Sequence, residues 1–275
     1  MPFVTTKDKT EIFYKDWGNP TGKPVVFSHG WPLNSDNWEN QMYFLANHGY
    51  RVIAHDRRGH GRSSQPWEGN DLNTWTDDLL AVFEHLDLKD VMLVGHSTGG
   101  AEVTRFLARH GTSRVSKAVL VGAVPVRMLR KEGDPDGLDI SHFDGIRAGI
   151  IANRAQLFID IPTGPFFGYN LPGATPSQGL IDSWYQQGML CSLKAVHDTV
   201  VTWQEDFTED LKTIDIPVLL LHGELDQIVP IKPAAQAAVK ILKNATLKVF
   251  PGGAHALPNT AADEVNEDLL KFLQS

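Results

Sequence analysis

Short apolar runs recur along this chain with amphipathic stretches between them, and that alternation restricts the fold more than any other feature. Val25-Val26-Phe27-Ser28, Arg51 to His55, Val91 to Val94, Ala118 to Val121, Val218 to Leu221 and Leu247 to Phe250 read as buried strands. Thr74 to Leu86, Ala101 to Arg109, Pro233 to Leu242 and Ala261 to Leu273 read as helices with one apolar face. Strand–helix–strand units at this spacing specify an α/β class with a mostly parallel central sheet flanked by helices. The alternating EIFYKDW of residues 11–17 predicts an antiparallel edge strand in front of it.

One interval breaks the rhythm. From about Val126 to Asp215 the chain runs on where a single crossover needs about one or two dozen residues. It carries DPDGLD, then DIPTGPFFGYNLPGATPSQG, then helical segments with Trp184, Tyr185, Met189 and Trp203. We read 126–215 as an inserted, mostly helical cap, with 1–125 and 216–275 forming the core. The pairs Phe166-Phe167 and Trp184-Tyr185 are expected to be cap core rather than substrate contacts.

With 275 residues, 42% of them hydrophobic, the chain can bury a sizeable core. A net charge of −8 argues against a nucleic-acid partner, because phosphate binding needs clustered Lys and Arg. The single cysteine, Cys191, allows no intramolecular disulfide and fits a reducing compartment. The N-terminus has no signal-peptide pattern, and no apolar run approaches the ~20 residues of a membrane span. The expectation is a cytoplasmic protein without a membrane partner. Gly59-x-Gly61 lacks the third glycine of a dinucleotide fingerprint, since Ser64 stands there, and no P-loop or HExxH occurs. We therefore expect no cofactor and no metal. His55, Asp56 and His60 could be imagined as ligands; a turn with a buried polar network is the stronger reading.

The chemistry centres on VMLVGHSTGGAEV, residues 91–103. Gly95-x-Ser97-x-Gly99 is a weak pattern alone, but here a strand precedes it and a helix follows. Flanking glycines permit the sharp turn that leaves Ser97 Oγ exposed, and the helix N-terminus favours negative charge forming beside it. A serine hydroxyl needs a base to take its proton. In sites of this layout the chain order is Ser, acid, His. His255 lies in the glycine-rich loop after the last strand, Pro251-Gly252-Gly253-Ala254-His255-Ala256. Asp226 follows the preceding strand, with Glu224 as its competitor; the loop Gly122-Ala123-Val124-Pro125 offers no carboxylate. A developing oxyanion needs preorganised donors. The main-chain N–H groups of Thr98 and of Trp31, in Ser28-His29-Gly30-Trp31-Pro32, are the candidates, with the Trp31 indole lining an acyl pocket.

FYKDWG, FSHGWPL, YRVIAHDRRGHGRSSQPW, GHSTGG, NRAQLF, LHGELDQIVP and NEDLLKFL together resemble the cofactor-free (non-haem) haloperoxidases, perhydrolases and arylesterases of the α/β-hydrolase superfamily. In that family nucleophile, acid, base and oxyanion donors fall on Ser97, Asp226, His255, Trp31 and Thr98. Many relatives carry glycine where this chain has Ala101 and Ala256; neither change removes a reacting group. The resemblance implies that Ser97 is acylated by a short carboxylic acid or ester, and that the acyl group passes to water or to hydrogen peroxide. The peracid then oxidises halide away from the enzyme, without haem or metal. It also implies homo-oligomers. Pro32 restricts Trp31 to extended conformations, orienting a carbonyl that could accept a hydrogen bond from peroxide, so Pro32 joins Trp31 in the expected pocket. Rival expectations are a plain carboxylesterase or lactonase with negligible perhydrolase activity, and a ligand-binding receptor with vestigial hydrolysis.

Overall fold

The computed structural model describes residues 2–124, 126–133 and 136–275. The expected core boundary at Pro125 and the Asp134-Pro135 pair of DPDGLD lie outside those residues. Eight strands form one sheet: β1 (Phe3–Thr5), β2 (Glu11–Gly18), β3 (Pro24–Ser28), β4 (Arg51–His55), β5 (Val91–His96), β6 (Val115–Val121), β7 (Val218–Gly223) and β8 (Ala245–Phe250). Their spatial order is β1-β2-β4-β3-β5-β6-β7-β8. The β1–β2 and β2–β4 pairs are antiparallel and the others parallel. EIFYKDW is thus antiparallel but not the edge: β1 pairs outside it, with Val4 opposite Ile12. Three residues are too few for a period to register in the sequence.

Both faces of the sheet are covered, because alternate strand residues point to opposite sides. Val26, Leu93, Leu120 and Leu220 join one apolar cluster with Leu79 and Phe83 of α2 (Leu72–His85) and Val103 and Phe106 of α3 (Thr98–His110). Val25, Phe27, Met92, Val94 and Leu221 join the opposite cluster. There they meet Met42 and Leu45 of α1 (Glu39–Asn47) and Val265 and Leu269 of a helix at Ala262–Gln274. These side chains are almost wholly buried, and each contributes about 1.5–3 kcal/mol relative to exposure. The Glu39–Asn47 helix was not read from the sequence; it buries only Gln41, Met42 and Leu45, too thin a stripe to register. The expected Pro233–Leu242 helix is shorter, Ala235–Ile241, and the expected Ala261–Leu273 helix begins one residue later.

After β6 the chain rises into α4 (Ile140–Thr163), α5 (Gln178–Met189) and α6 (Leu193–Thr202). Within α4, Asn153 is extended (φ −162°, ψ 82°), and its Oδ1 accepts the Gln156 N–H at 3.0 Å, restarting the helix after the break. A short helix at Thr208–Thr213 then returns to the sheet, its Leu211 joining the α2–α3 cluster.

Candidate active site

The chain passes from β3 outward to β4 and then crosses back to β5 on the other side of β3. At such a reversal the loops leaving two neighbouring parallel strands diverge and open a crevice. The loop after β3 and the turn after β5 meet there: a Cβ built on Gly30 would lie 3.1 Å from Ser97 Cβ.

Ser97 sits between β5 and α3 with φ 55° and ψ −121°, a conformation strained for any L-residue. The glycines around it are obligatory for close approach. A Cβ on Gly95 would stand 2.3 Å from the Gly99 carbonyl oxygen, and one on Gly99 would stand 2.2 Å from that of Ser28. Ala101 is fully buried in the cap-side cluster, where its methyl packs behind the turn.

His255, fully buried after β8, donates from Nδ1 to Asp226 Oδ2 at 2.7 Å. A carboxylate at Nδ1 fixes the tautomer, leaving Nε2 as the lone-pair nitrogen. Among the described residues Nε2 is buried without a partner, and its ring lines the same cavity as Ser97. Asp226 Oδ1 accepts the N–H groups of Ile228 (2.9 Å) and Val229 (2.8 Å). Burial would raise the Asp226 pKa, but the charge of His255 and hydrogen bonds from His222 and His255 outweigh it and hold the carboxyl far below the usual range. Glu224 points elsewhere: its Oε2 accepts the Gly252 N–H at 3.0 Å. Ala256 is buried, and its N–H donates to the Phe166 carbonyl at 3.2 Å, joining the histidine loop to the cap.

Two further histidines brace this pair, and sequence reasoning missed both. His96 Nε2 donates to the His255 carbonyl at 3.1 Å, and His222 Nε2 to the Val229 carbonyl at 2.8 Å. Burial, then the neighbouring His255 charge, push His96 down to about 3, so it stays neutral. Each lies on a strand the sequence identified; nothing local distinguished them from other buried histidines.

Among the described residues the main-chain N–H groups of Trp31 and Thr98 have no acceptor within the protein. Helices α5 and α6, with Trp203 just after α6, grip the segments that carry them. Trp31 Nε1 donates to the Val196 carbonyl at 3.0 Å, Trp203 Nε1 to Thr98 Oγ1 at 2.9 Å, and the Asn34 N–H to Gln187 Oε1 at 3.3 Å. Cys191 Sγ donates to the Pro32 carbonyl at 2.9 Å; burial pushes its thiol up to about 12, so it stays unionised.

Above Ser97 lies a cavity of about 150 Å³ walled by Trp31, Phe166, Trp184, Trp203, Leu157 and Ile161, with His142 as a polar cap residue in its lining. That volume is about the size of an apolar cavity that accepts benzene. The expectation that both aromatic pairs are cap core needs correction: Phe166 and Trp184 face the cavity. Phe167 instead stacks on Tyr169 at 5.3 Å. Neighbouring helical side chains diverge by about 100°, so Trp184 faces the cavity while Tyr185 does not. Pro32 does not line the cavity; it stands behind Trp31, its Cγ 3.1 Å from a Cβ built on Gly188.

The turn after β4 is the polar network expected of it. Asp56 accepts from Ser35 Oγ at 2.6 Å and Arg62 Nε at 2.8 Å, holding the loop after β3. Among the described residues no three His, Cys, Asp or Glu side chains gather as a metal site. Nor is any described helix long and apolar enough to cross a membrane.

A serine that lines a cavity, a histidine held by a buried carboxylate and two free amides can carry out acyl transfer. Residues 23–259 match the family described as alpha/beta hydrolase fold. The chain is 54% identical to a non-heme haloperoxidase of Rhodococcus erythropolis, and 48% identical to a bifunctional esterase/perhydrolase of Acinetobacter calcoaceticus; each comparison covers all of both chains. A crystal structure of bromoperoxidase from Bacillus anthracis superposes with a TM-score of 0.95 at 37% identity, covering 100% of this chain and 99% of the other. The chain belongs to the α/β-hydrolase family, within its non-haem haloperoxidase branch.

Proposed function

We propose that this protein is a serine-dependent acyl-transfer enzyme that forms peracids from short carboxylic acids or esters and also hydrolyses esters. One observation carries the reading: the His255–Asp226 pair leaves Nε2 unpartnered over the cavity that Ser97 lines. Ser97 Oγ attacks the carbonyl carbon while its proton passes to His255 Nε2. The oxyanion rests on the Trp31 and Thr98 amides. Collapse expels the leaving oxygen, which takes the proton from His255, and the acyl group remains on Ser97. Water or hydrogen peroxide then loses a proton to His255 and attacks. The second tetrahedral species breaks its bond to Ser97 Oγ, which recovers the proton. Water yields the acid and peroxide the peracid; released peracid and halide give hypohalous acid and the parent acid. Asp226 keeps the ring in the required tautomer and stabilises the imidazolium. Residues 126–215 are the cap that shapes the acyl pocket.

The dual name of the Acinetobacter relative supports both acceptors, since they share one acyl-enzyme. Bromide-dependent halogenation of a reporter in acetate and hydrogen peroxide is expected from the native chain and lost in Ser97→Ala. Cleavage of an aryl acetate without halogenation would instead identify an esterase with negligible perhydrolysis.

A further inference from the structure

A buried polar cluster lies beneath the site, none of it more than 1% exposed: Ser28, His29, His55, Arg57 and Glu102. Glu102 belongs to α3, the helix that begins at Thr98. Its Oε2 accepts from Arg57 Nε at 2.8 Å and from Ser28 Oγ at 2.7 Å, and its Oε1 lies 3.2 Å from His55 Nε2. Arg57, its guanidinium over the Trp75 ring, holds His29 twice: Nη2 donates to the His29 carbonyl at 2.9 Å, and the main-chain N–H donates to His29 Nε2 at 2.9 Å.

That second bond decides the His29 tautomer. A main-chain N–H can only donate, so Nε2 is the acceptor and Nδ1 carries the hydrogen. Burial, then the Arg57 charge, hold the ring pKa well below the ordinary histidine value, so it stays neutral. Nδ1 therefore donates to the Gly30 carbonyl, 2.8 Å away, which also accepts the Leu33 N–H at 3.0 Å. The Gly30 carbonyl and the Trp31 N–H belong to one planar unit, and in a trans peptide they point in opposite directions. Pinning the carbonyl from below turns the Trp31 N–H the other way.

We infer that Glu102 and Arg57, acting through His29, are positioning residues that set the direction of the Trp31 amide relative to the Thr98 amide on the same helix as Glu102. The inference rests on the reading of those amides as oxyanion donors. It makes the hole preformed, its two halves joined by one chain of bonds.

The test compares His29→Leu, His29→Asn and Glu102→Gln with Ser97→Ala. An asparagine Nδ2 sits about where His29 Nδ1 does and can still donate to Gly30. With an aryl acetate, His29→Leu should lower kcat about 10–100-fold, with KM within about threefold of native. Affinity for phenylboronic acid, whose adduct with Ser97 places an anionic oxygen in the hole, should fall by the same factor; affinity for benzamide, a ground-state probe, should hold. His29→Asn should recover most of the loss, and Glu102→Gln should show the same pattern more weakly. If His29→Leu does not fold, the contrast between His29→Asn and Glu102→Gln decides. Equal weakening of both probes without rescue by asparagine would reduce the cluster to packing, and unchanged kcat and boronate affinity would remove the role altogether. Turnover surviving in Ser97→Ala would overturn the acyl-enzyme reading itself, a separate result.

Discussion

Trp203, the residue just after α6, donates from its indole Nε1 to the Thr98 hydroxyl at 2.9 Å, so the end of that helix is bonded to the residue beside Ser97. Both side chains are buried, and the Trp203 ring stands 5.1 Å from that of Trp31 in an edge contact. Trp203→Phe leaves the Thr98 hydroxyl without its donor and should cost about 1–3 kcal/mol. The urea midpoint reads this directly; an unchanged midpoint would mean that the cap holds without this bond.

Asp226→Asn keeps the shape of the acid but removes its charge, so neither the Nδ1–H tautomer nor the imidazolium is stabilised. We expect kcat to fall about 10³–10⁴-fold with KM little changed, measured on an aryl acetate. Glu224→Gln, which weakens only a loop contact to Gly252, should remain close to native.

Gly99→Ala tests how tightly the turn and the loop after β3 are pressed together. The added methyl would meet two backbone oxygens, Ser28 at 2.2 Å and His29 at 2.7 Å, which cannot swing aside as a flexible side chain would. A loss of roughly 3 kcal/mol or more in stability is expected, together with loss of turnover. Normal activity in the variant would show that the two segments separate easily.

The cavity is small, and Leu157 is a partly buried wall residue on α4. Leu157→Ala should lengthen the preferred acyl chain, because each methylene seated in an apolar pocket is worth about 1–3 kcal/mol. The ratio of kcat/KM for a butyrate ester over an acetate ester should rise roughly tenfold. No change would place the acyl chain elsewhere.

Glu102 also shapes the acid limb of stability. Burial opposes its ionisation, but the Arg57 charge and bonds from His55 and Ser28 prevail and hold its pKa at about 2, against 4.5 for the free side chain. Below about pH 4.5 the unfolded chain takes up a proton that the folded chain refuses until about pH 2. The stabilisation is therefore complete above that range and lost as the pH falls through it. Urea midpoints measured from pH 5 down to pH 3 should drop less steeply in Glu102→Gln than in the native protein.

Much of this was legible residue by residue. Six parallel strands were readable because residues buried on both faces form short continuous apolar runs. The meeting of Ser97, Asp226 and His255 was legible because each follows such a run, and strand ends determine which loops meet. Less local features were not. Phe3–Thr5 is too short to carry a period, and the stripe on Glu39–Asn47 too narrow. The aromatic pairs of the cap could not be sorted into wall and interior from composition, because that depends on how α4, α5 and α6 rotate against the sheet.

The amino-acid order, then, carried the architecture and the candidate site residues, since hydrophobic period and glycine placement are properties of a few neighbouring residues. It was silent on the tautomer of His29, the bracing of His255 by His96, the tie between Trp203 and Thr98, and the 150 Å³ cavity above Ser97. Each of these depends on atoms from segments far apart in the chain. Their distances exist only once the sheet has brought its strand ends together and the cap has closed over them.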